Sequence, residues 1–248
     1  SALPTSPSPA SISSPTVMDH SAAVAVLKDS RGEVTVDENG RVTGLDEIPS
    51  LSRQEIAQAV LLERMGTPEV LKSLAGQESN LRGSNNGGQS FRLLYPAASV
   101  IIDDKPVFKW ESLAGTSGYR VYVLDLKGNE VARSEELSPT QTQWTPKTSL
   151  KRGEIFSWVV TGVVEGKEIV SPAASAPEMK FAVLSTKDAQ ELNQLKRARS
   201  HLALGVFYAR VGLLREAERE FQQLVQLNPE SQLPRKLLRS VRPKRDSK

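Results

Sequence analysis

The stretch from residue 198 to residue 231 constrains this chain more than any other. Small and aromatic residues recur there as His201-x-x-Leu204-Gly205-x-x-Tyr208, then Ala217-x-x-x-Phe221, then Pro229. The spacing predicts two antiparallel helices joined by a short turn. Gly205 and Ala217 are small where the helices must approach closely, and Tyr208 and Phe221 fill the groove beside them. Gly212 permits the turn after the first helix, while Asn228 and Pro229 end the second. Val206, Leu213, Leu214, Leu224, Val225 and Leu227 then supply more apolar surface than the opposing helix can hide. The hairpin must therefore lean on something. Candidates inside the chain are a preceding helix through Ala189, Leu192 and Leu195, a following helix through Leu233, Leu237, Leu238 and Val241, and the β-rich region upstream. Candidates outside it are a second copy or another protein.

Upstream, the periodicity is mostly that of strands. The first 17 residues hold six Ser and four Pro with no charge, too little bulk to offset the entropy of ordering, so residues 1–20 read as a disordered Ser/Pro-rich linker. Apolar runs at Val24–Leu27, Val34–Val36 and Val42–Leu45 predict a small hairpin or meander, with a tight turn at Asp37-Glu38-Asn39-Gly40. Ser52 with Glu55 three residues on has the spacing of a capping box, predicting a helix to about Met65, and Thr67-Pro68 restarts one that stops at Gly76. That small αβ unit is marginal alone and is expected to pack on a neighbour. Gly83–Gly88 reads as a flexible link without the Lys-Ser/Thr ending of a phosphate loop. From 91 to 184, short alternating runs separated by turn clusters predict strands at 91–94, 98–102, 106–110, 119–125, 130–135, 141–144, 155–164, 168–170 and 179–184.

Two resemblances follow from these motifs. The order of strands, with Trp110 early and Leu150-x-x-Gly153-x-x-Phe156-x-Trp158 entering a long apolar strand, resembles fibronectin type III and related immunoglobulin-like sandwiches. Phe156 stands where that family usually has Tyr, so only the packing role of the corner carries over. The pattern His201, Leu204, Gly205, Tyr208, Ala217, Phe221, Pro229 resembles one tetratricopeptide repeat, a helical hairpin of about 34 residues, with His201 replacing the usual Trp. Such repeats normally stack about three deep, and the resemblance implies a platform for peptides or helices rather than a catalyst. A single repeat after a sandwich is also similar to uncharacterised bacterial envelope proteins, which implies a periplasmic or extracytoplasmic chain tethered to a membrane by an upstream segment.

The expected organisation is multi-domain α+β. It comprises the linker 1–20, a β-hairpin plus helical segment 21–82, an antiparallel fibronectin III-like β-sandwich 90–185, a tetratricopeptide-like α-helical hairpin domain 187–242, and a basic tail 243–248. Charge is uneven, for residues 187–248 carry 14 Lys/Arg against 7 Asp/Glu while residues 1–186 carry 18 against 22. Arg235, Lys236, Arg239, Arg242, Lys244, Arg245 and Lys248 crowd the end, a fringe ordinarily explained by a solvated helix terminus. No aromatic interleaves it, so nucleic acid is not an expected partner.

Little catalytic chemistry is on offer. Cysteine is absent and histidine occurs twice, at His20 and His201, which excludes disulfides, thiolate zinc sites and cysteine nucleophiles. No Gly-x-Ser-x-Gly elbow occurs. The pairs Asp103-Asp104 and Glu135-Glu136 fall near turns, and Asp37-Glu38-Asn39-Gly40 offers too few ligands for calcium. No cofactor and no enzymatic activity are expected. The longest apolar run, Phe156–Val164, is interrupted and far shorter than the ~20 residues of a spanning helix. The expected function is a protein–protein interaction scaffold or accessory subunit. Its partner would be a protein, a membrane complex or a second copy, bound through Tyr208, Arg210, Leu213, Leu214, Arg215 and Arg219. The alternative is a glycan- or peptidoglycan-binding module on the sandwich. That reading needs Trp110, Trp144 and Trp158 to face outward on one sheet, whereas Trp in a sandwich is mostly core, with Trp144-Thr145-Pro146, near a loop, the exception.

Overall fold

A computed structural model of the protein describes residues 22–74, 91–174 and 176–242. The Ser/Pro-rich stretch 1–20, the helix stop at Gly76, the Gly83–Gly88 link and the tail 243–248 lie outside the described residues. The rest is mixed α+β, with three sheets and six helices among the described residues. None of those helices is long and apolar enough to cross a membrane.

The N-terminal part is a meander followed by two helices. Strands β1 (Ala23–Asp29), β2 (Gly32–Asp37) and β3 (Val42–Thr43) pair antiparallel in that order. The turn before β3 closes as its residues require: the Asp37 carboxylate accepts the Asn39 and Arg41 amides, and Gly40 takes φ +78°. Leu27, Val34, Val36 and Val42 point to one buried face, where α1 (Ser50–Leu61) and α2 (Glu69–Leu74) add Ile56, Ala59, Val60 and Leu74. The expected capping box is not made. α1 begins at Ser50 behind Pro49 with no side-chain cap, and Ser52 lies inside the helix.

Two sheets form the middle. The smaller has the order β4 (Leu93–Tyr95), β6 (Phe108–Trp110), β9 (Gln143–Trp144). The larger has the order β5 (Ser99–Ile101), β12 (Met179–Val183), β10 (Ile155–Val164), β7 (Thr116–Asp125), β8 (Glu130–Arg133), with β11 (Lys167–Ser171) also on β10. Alternation decides what faces inward: Tyr119, Val121 and Val123 of β7 and Phe156, Trp158 and Val160 of β10 meet Phe108 and Trp110 of the smaller sheet in one core. One pair departs from the expected antiparallel arrangement, for β5 runs parallel to β12. Those strands are separated by nearly the whole unit, so the connection is long enough to allow it.

β12 leads almost directly into α3 (Thr186–Ala198), whose Ser185 cap accepts the Asp188 amide at 3.0 Å and donates back to its carboxylate at 2.5 Å. α4 (His201–Val211), α5 (Leu214–Leu227) and α6 (Gln232–Val241) follow. Gly205 lies so close to Phe221 that an added Cβ would sit 2.5 Å from its ring, the close approach expected of the hairpin. Gly212 ends α4 at φ +87°, packed on Val70, Leu71 and Val100.

The N-terminal meander and helices share one core with α3–α6, into which Val100, Ala182 and Leu184 of the sheets also reach. The described parts of segments 21–82 and 187–242, expected as separate units, thus bury their apolar faces against each other. Polar groups fix this junction. The Asp29 carboxylate, at the end of β1, accepts the Ser200 hydroxyl at 2.6 Å and the His201 and Leu202 amides at 2.8 and 3.3 Å, capping α4 from 171 residues or more away. The Asn228 side chain pairs with both the amide and the carbonyl of Lys28, at 2.8 Å each. Asp29→Ala is expected to lower the unfolding free energy by about 2 kcal/mol, since it strips three hydrogen bonds from a buried helix start. Urea denaturation followed by far-UV circular dichroism checks this, and an unchanged midpoint would mean that water replaces the cap.

Candidate functional site

The residues expected to form the docking surface sit on α4 and α5, and the structure separates them. Nine of the eleven residues of α4 are buried, because α5, α1 and α3 all pack on it. Tyr208 is 6% exposed and Leu213 5%, so neither offers a contact surface; both belong to the core. Leu214 is half-buried, while Arg215 and Arg219 are exposed, Arg219 pairing with Glu216 at 2.9 Å. Of the residues expected inside the hairpin, Leu204, Gly205, Ala217 and Phe221 are buried. His201 is half-buried with its Nδ1 2.7 Å from the Glu220 carboxylate, and Pro229 lies exposed at the end of α5.

Arg210 is the second correction, because it faces its own chain. Its guanidinium lies 2.9 Å from the Glu55 carboxylate of α1, and donates to Asp188 at 3.0 Å and Glu191 at 2.8 Å, both on α3. The cation also stands 4.9 Å over the Phe207 ring. Ser52 completes the cluster by donating to Glu191 at 2.8 Å. Three carboxylates therefore share one guanidinium at the meeting of α1, α3 and α4. Burial raises the Glu55 carboxyl above the ordinary Glu value, with Arg210 opposing and Glu191 and Asp188 reinforcing the shift. Burial also works against the charge of Arg210, but Glu55, Glu191 and Asp188 outweigh it and hold the guanidinium above its ordinary value. Ser52 and Glu55 were read as a capping box, and Asp188 and Glu191 escaped the sequence reading, because the partners of all four lie on other elements. A lone Arg within the apolar run of α4 was the available signal.

Several surfaces are open among the described residues. On α5, Arg215, Arg219, Gln223 and Leu227 follow one another at intervals of four and are all exposed, a stripe along the helix that is polar at its first three positions and apolar at Leu227. A cleft of about 280 Å³ opens where the β1–β2 turn, the β3–α1 loop and the α3–α4 junction meet. Its polar groups are already engaged, since Asp29 and Ser200 cap α4 and Arg31 pairs with Glu47 at 3.2 Å. A larger groove of about 650 Å³ lies beside Trp144. Trp110 and Trp158 are buried as expected, at 2% and 0% exposed, whereas Trp144 is half-buried. Among the described residues no cluster of His, Asp and Glu is arranged to hold a metal ion. The exposed basic residues at the C-terminal end include Arg235 and Arg239 of α6, while Lys236 pairs with Glu63 and Arg242 with Glu218.

No family model matches the chain, and no curated protein matches it.

Arg210→Ala would leave three carboxylates with no cation. The expected cost is about 2–3 kcal/mol at neutral pH, under the range for a fully buried pair because Arg210 keeps 29% exposure. Glu55 binds its proton more readily in the folded than in the unfolded chain, so its contribution to stability is present at acidic pH and is lost as pH rises through the folded pKa. Without Arg210 that pKa rises further. The deficit of the variant against wild type should therefore narrow between about pH 7 and pH 5, and the narrowing should be smaller in Glu55→Gln/Arg210→Ala, where Asp188 and Glu191 remain without their cation. Urea midpoints at the two pH values measure it, and a constant deficit would rule out the charge account.

Proposed function

We propose that this protein is a noncatalytic interaction scaffold or accessory subunit of a bacterial cell envelope, held in the periplasm or outside the cell by a segment upstream of the folded part. In this reading residues 90–185 are a fibronectin III-like sandwich and residues 198–231 a single tetratricopeptide-like hairpin. The two facing sheets with a shared aromatic core support the first assignment. The Gly205–Phe221 contact and the left-handed turn at Gly212 support the second.

The observation that carries the reading is the division of the hairpin into a filled side and an open one. α4, the helix that such a repeat offers to its guest, already holds a helix of its own chain, with Arg210 of α4 bridging α1 and α3. The open side is the α5 stripe of Arg215, Arg219, Gln223 and Leu227. An α-helical platform with an internal guest and one charged outer face organises modules and presents a surface. The partner that suits this face is a protein with an acidic patch beside an apolar contact, since Arg215 leads the stripe, the exposed Arg219 stands paired with Glu216 and Leu227 ends it.

Arg215→Glu/Arg219→Glu tests it. Recovery of the envelope partner by crosslinking to the full chain should fall about tenfold, while the thermal midpoint stays within a degree or so because both side chains are exposed. Undiminished recovery from a folded variant would overturn the reading. Sedimentation of wild type and variant distinguishes a second copy from a different partner.

A further inference from the structure

We infer that the groove beside Trp144 is a binding site for a short neutral saccharide. Its lining is Val107, Leu137, Gln141, Gln143, Thr145 and the Glu135–Lys147 ion pair around the Trp144 ring.

The ring is fixed from behind. Trp144 pairs with Phe108 across β9 and β6, its ring 5.6 Å from that of Phe108 at 30°, and Phe108 is itself fully buried on Trp158 at 5.0 Å. One side of the indole thus rests on a rigid aromatic base, and the rest opens into the groove. A pyranose has the matching shape, an apolar face of C–H groups with a rim of hydroxyls. The face stacks on an indole, and the rim needs donors and acceptors that reach around it.

Those groups are present and uncommitted. Gln143 and Thr145 are exposed, and their side chains make no hydrogen bond among the described residues. Gln141 spends its amide N–H on the Gln143 carbonyl at 3.1 Å and keeps its own side-chain oxygen. Charge narrows the ligand class further. Glu135 and Lys147 pair at 2.6 Å, so the two charges within the lining offset each other and leave neutral amides and a hydroxyl as the groups free to bind. A proline-rich peptide would want several aromatic ridges, and one half-exposed indole supplies a single platform. The volume, about 650 Å³, is in the range of small-molecule sites and suits about two or three sugar units.

The test uses the full chain and three soluble probes: the trimer of N-acetylglucosamine, cellotriose and a decaproline peptide. Trp110 and Trp158 are buried, so a change in tryptophan emission reports on Trp144. At least one trisaccharide should bind with a dissociation constant below about 1 mM, with quenching or a blue shift. Trp144→Ala, which removes the fluorescent reporter and is therefore read by isothermal titration calorimetry, should abolish that binding. Because Trp144 also packs on Phe108, Gln143→Ala serves as the second variant: it should weaken binding about fivefold with an unchanged thermal midpoint. The inference is overturned if neither trisaccharide binds up to about 10 mM, if binding survives both substitutions, or if decaproline binds with the same dependence on Trp144. It is independent of the α5 stripe, which none of these variants touches.

Discussion

Enclosing α4 is the constraint on which the rest of the molecule depends. A helix buried at nine of eleven positions gains apolar burial on every side, but it also takes its ends and its one charge out of water. Each of those costs is met by a different element. Asp29 of β1 and Ser200 accept the amides of the first turn. Gly212, in the left-handed region, and Leu213 return their amides to Ala209 and Tyr208 at the other end. Arg210 is met by α1 and α3 together. The covering elements therefore cannot be exchanged for any apolar surface of similar size, because each brings a polar group that α4 needs at one place.

The cluster around Arg210 explains how a small αβ unit finds its seat. Apolar burial by itself is tolerant of sliding and rotation, whereas a guanidinium fork shared between carboxylates on two helices is satisfied in few orientations. Ion pairs of this sort add little net stability compared with a well-packed apolar substitute. Their strength lies in penalising every wrong seating of α1, since a misplaced α1 would strand Glu55 and leave Ser52 without Glu191. The Asn228 amide on the backbone of Lys28 acts alike on β1: it occupies the free edge of that strand at one residue and fixes its position against α5.

What was legible in the sequence was local. The α4–α5 hairpin could be placed because its close contact, Gly205 on Phe221, lies within one repeat-length spacing, and strands such as β7 and β10 because alternation survives on a half-buried sheet. What misled was local too. Ser52-x-x-Glu55 has the spacing of a cap, yet both side chains serve partners on α3 and α4, while the cap that forms is Ser185 with Asp188. A capping motif specifies two short-range bonds only if nothing distant competes for the same oxygens. Tyr208 and Leu213 were expected at the docking surface because the sequence left open which of several candidate covers lies on the hairpin, and the cover includes elements from the other end of the chain. The indole of Trp144 was singled out by its loop position, but Gln141 and Gln143 carry no pattern that would have marked them.

The topology decides where function can reside. Hydrogen bonds that close the junction span 139 to 200 residues, with both β-sheets of the middle region intervening. Loop-closure entropy grows only slowly with length, so such a closure is thermodynamically tolerable, although every group in it becomes indispensable to the whole body. Removing the helices would expose Leu27, Ile56 and Val60 of the N-terminal part as surely as it would expose α4. Side chains committed to the closure cannot also be free to recognise a partner without paying for the core they leave. Among the described residues, what the closure leaves unused includes, on the helical side, the outer face of α5 and, on the sheet side, the rim of the small sheet around Trp144.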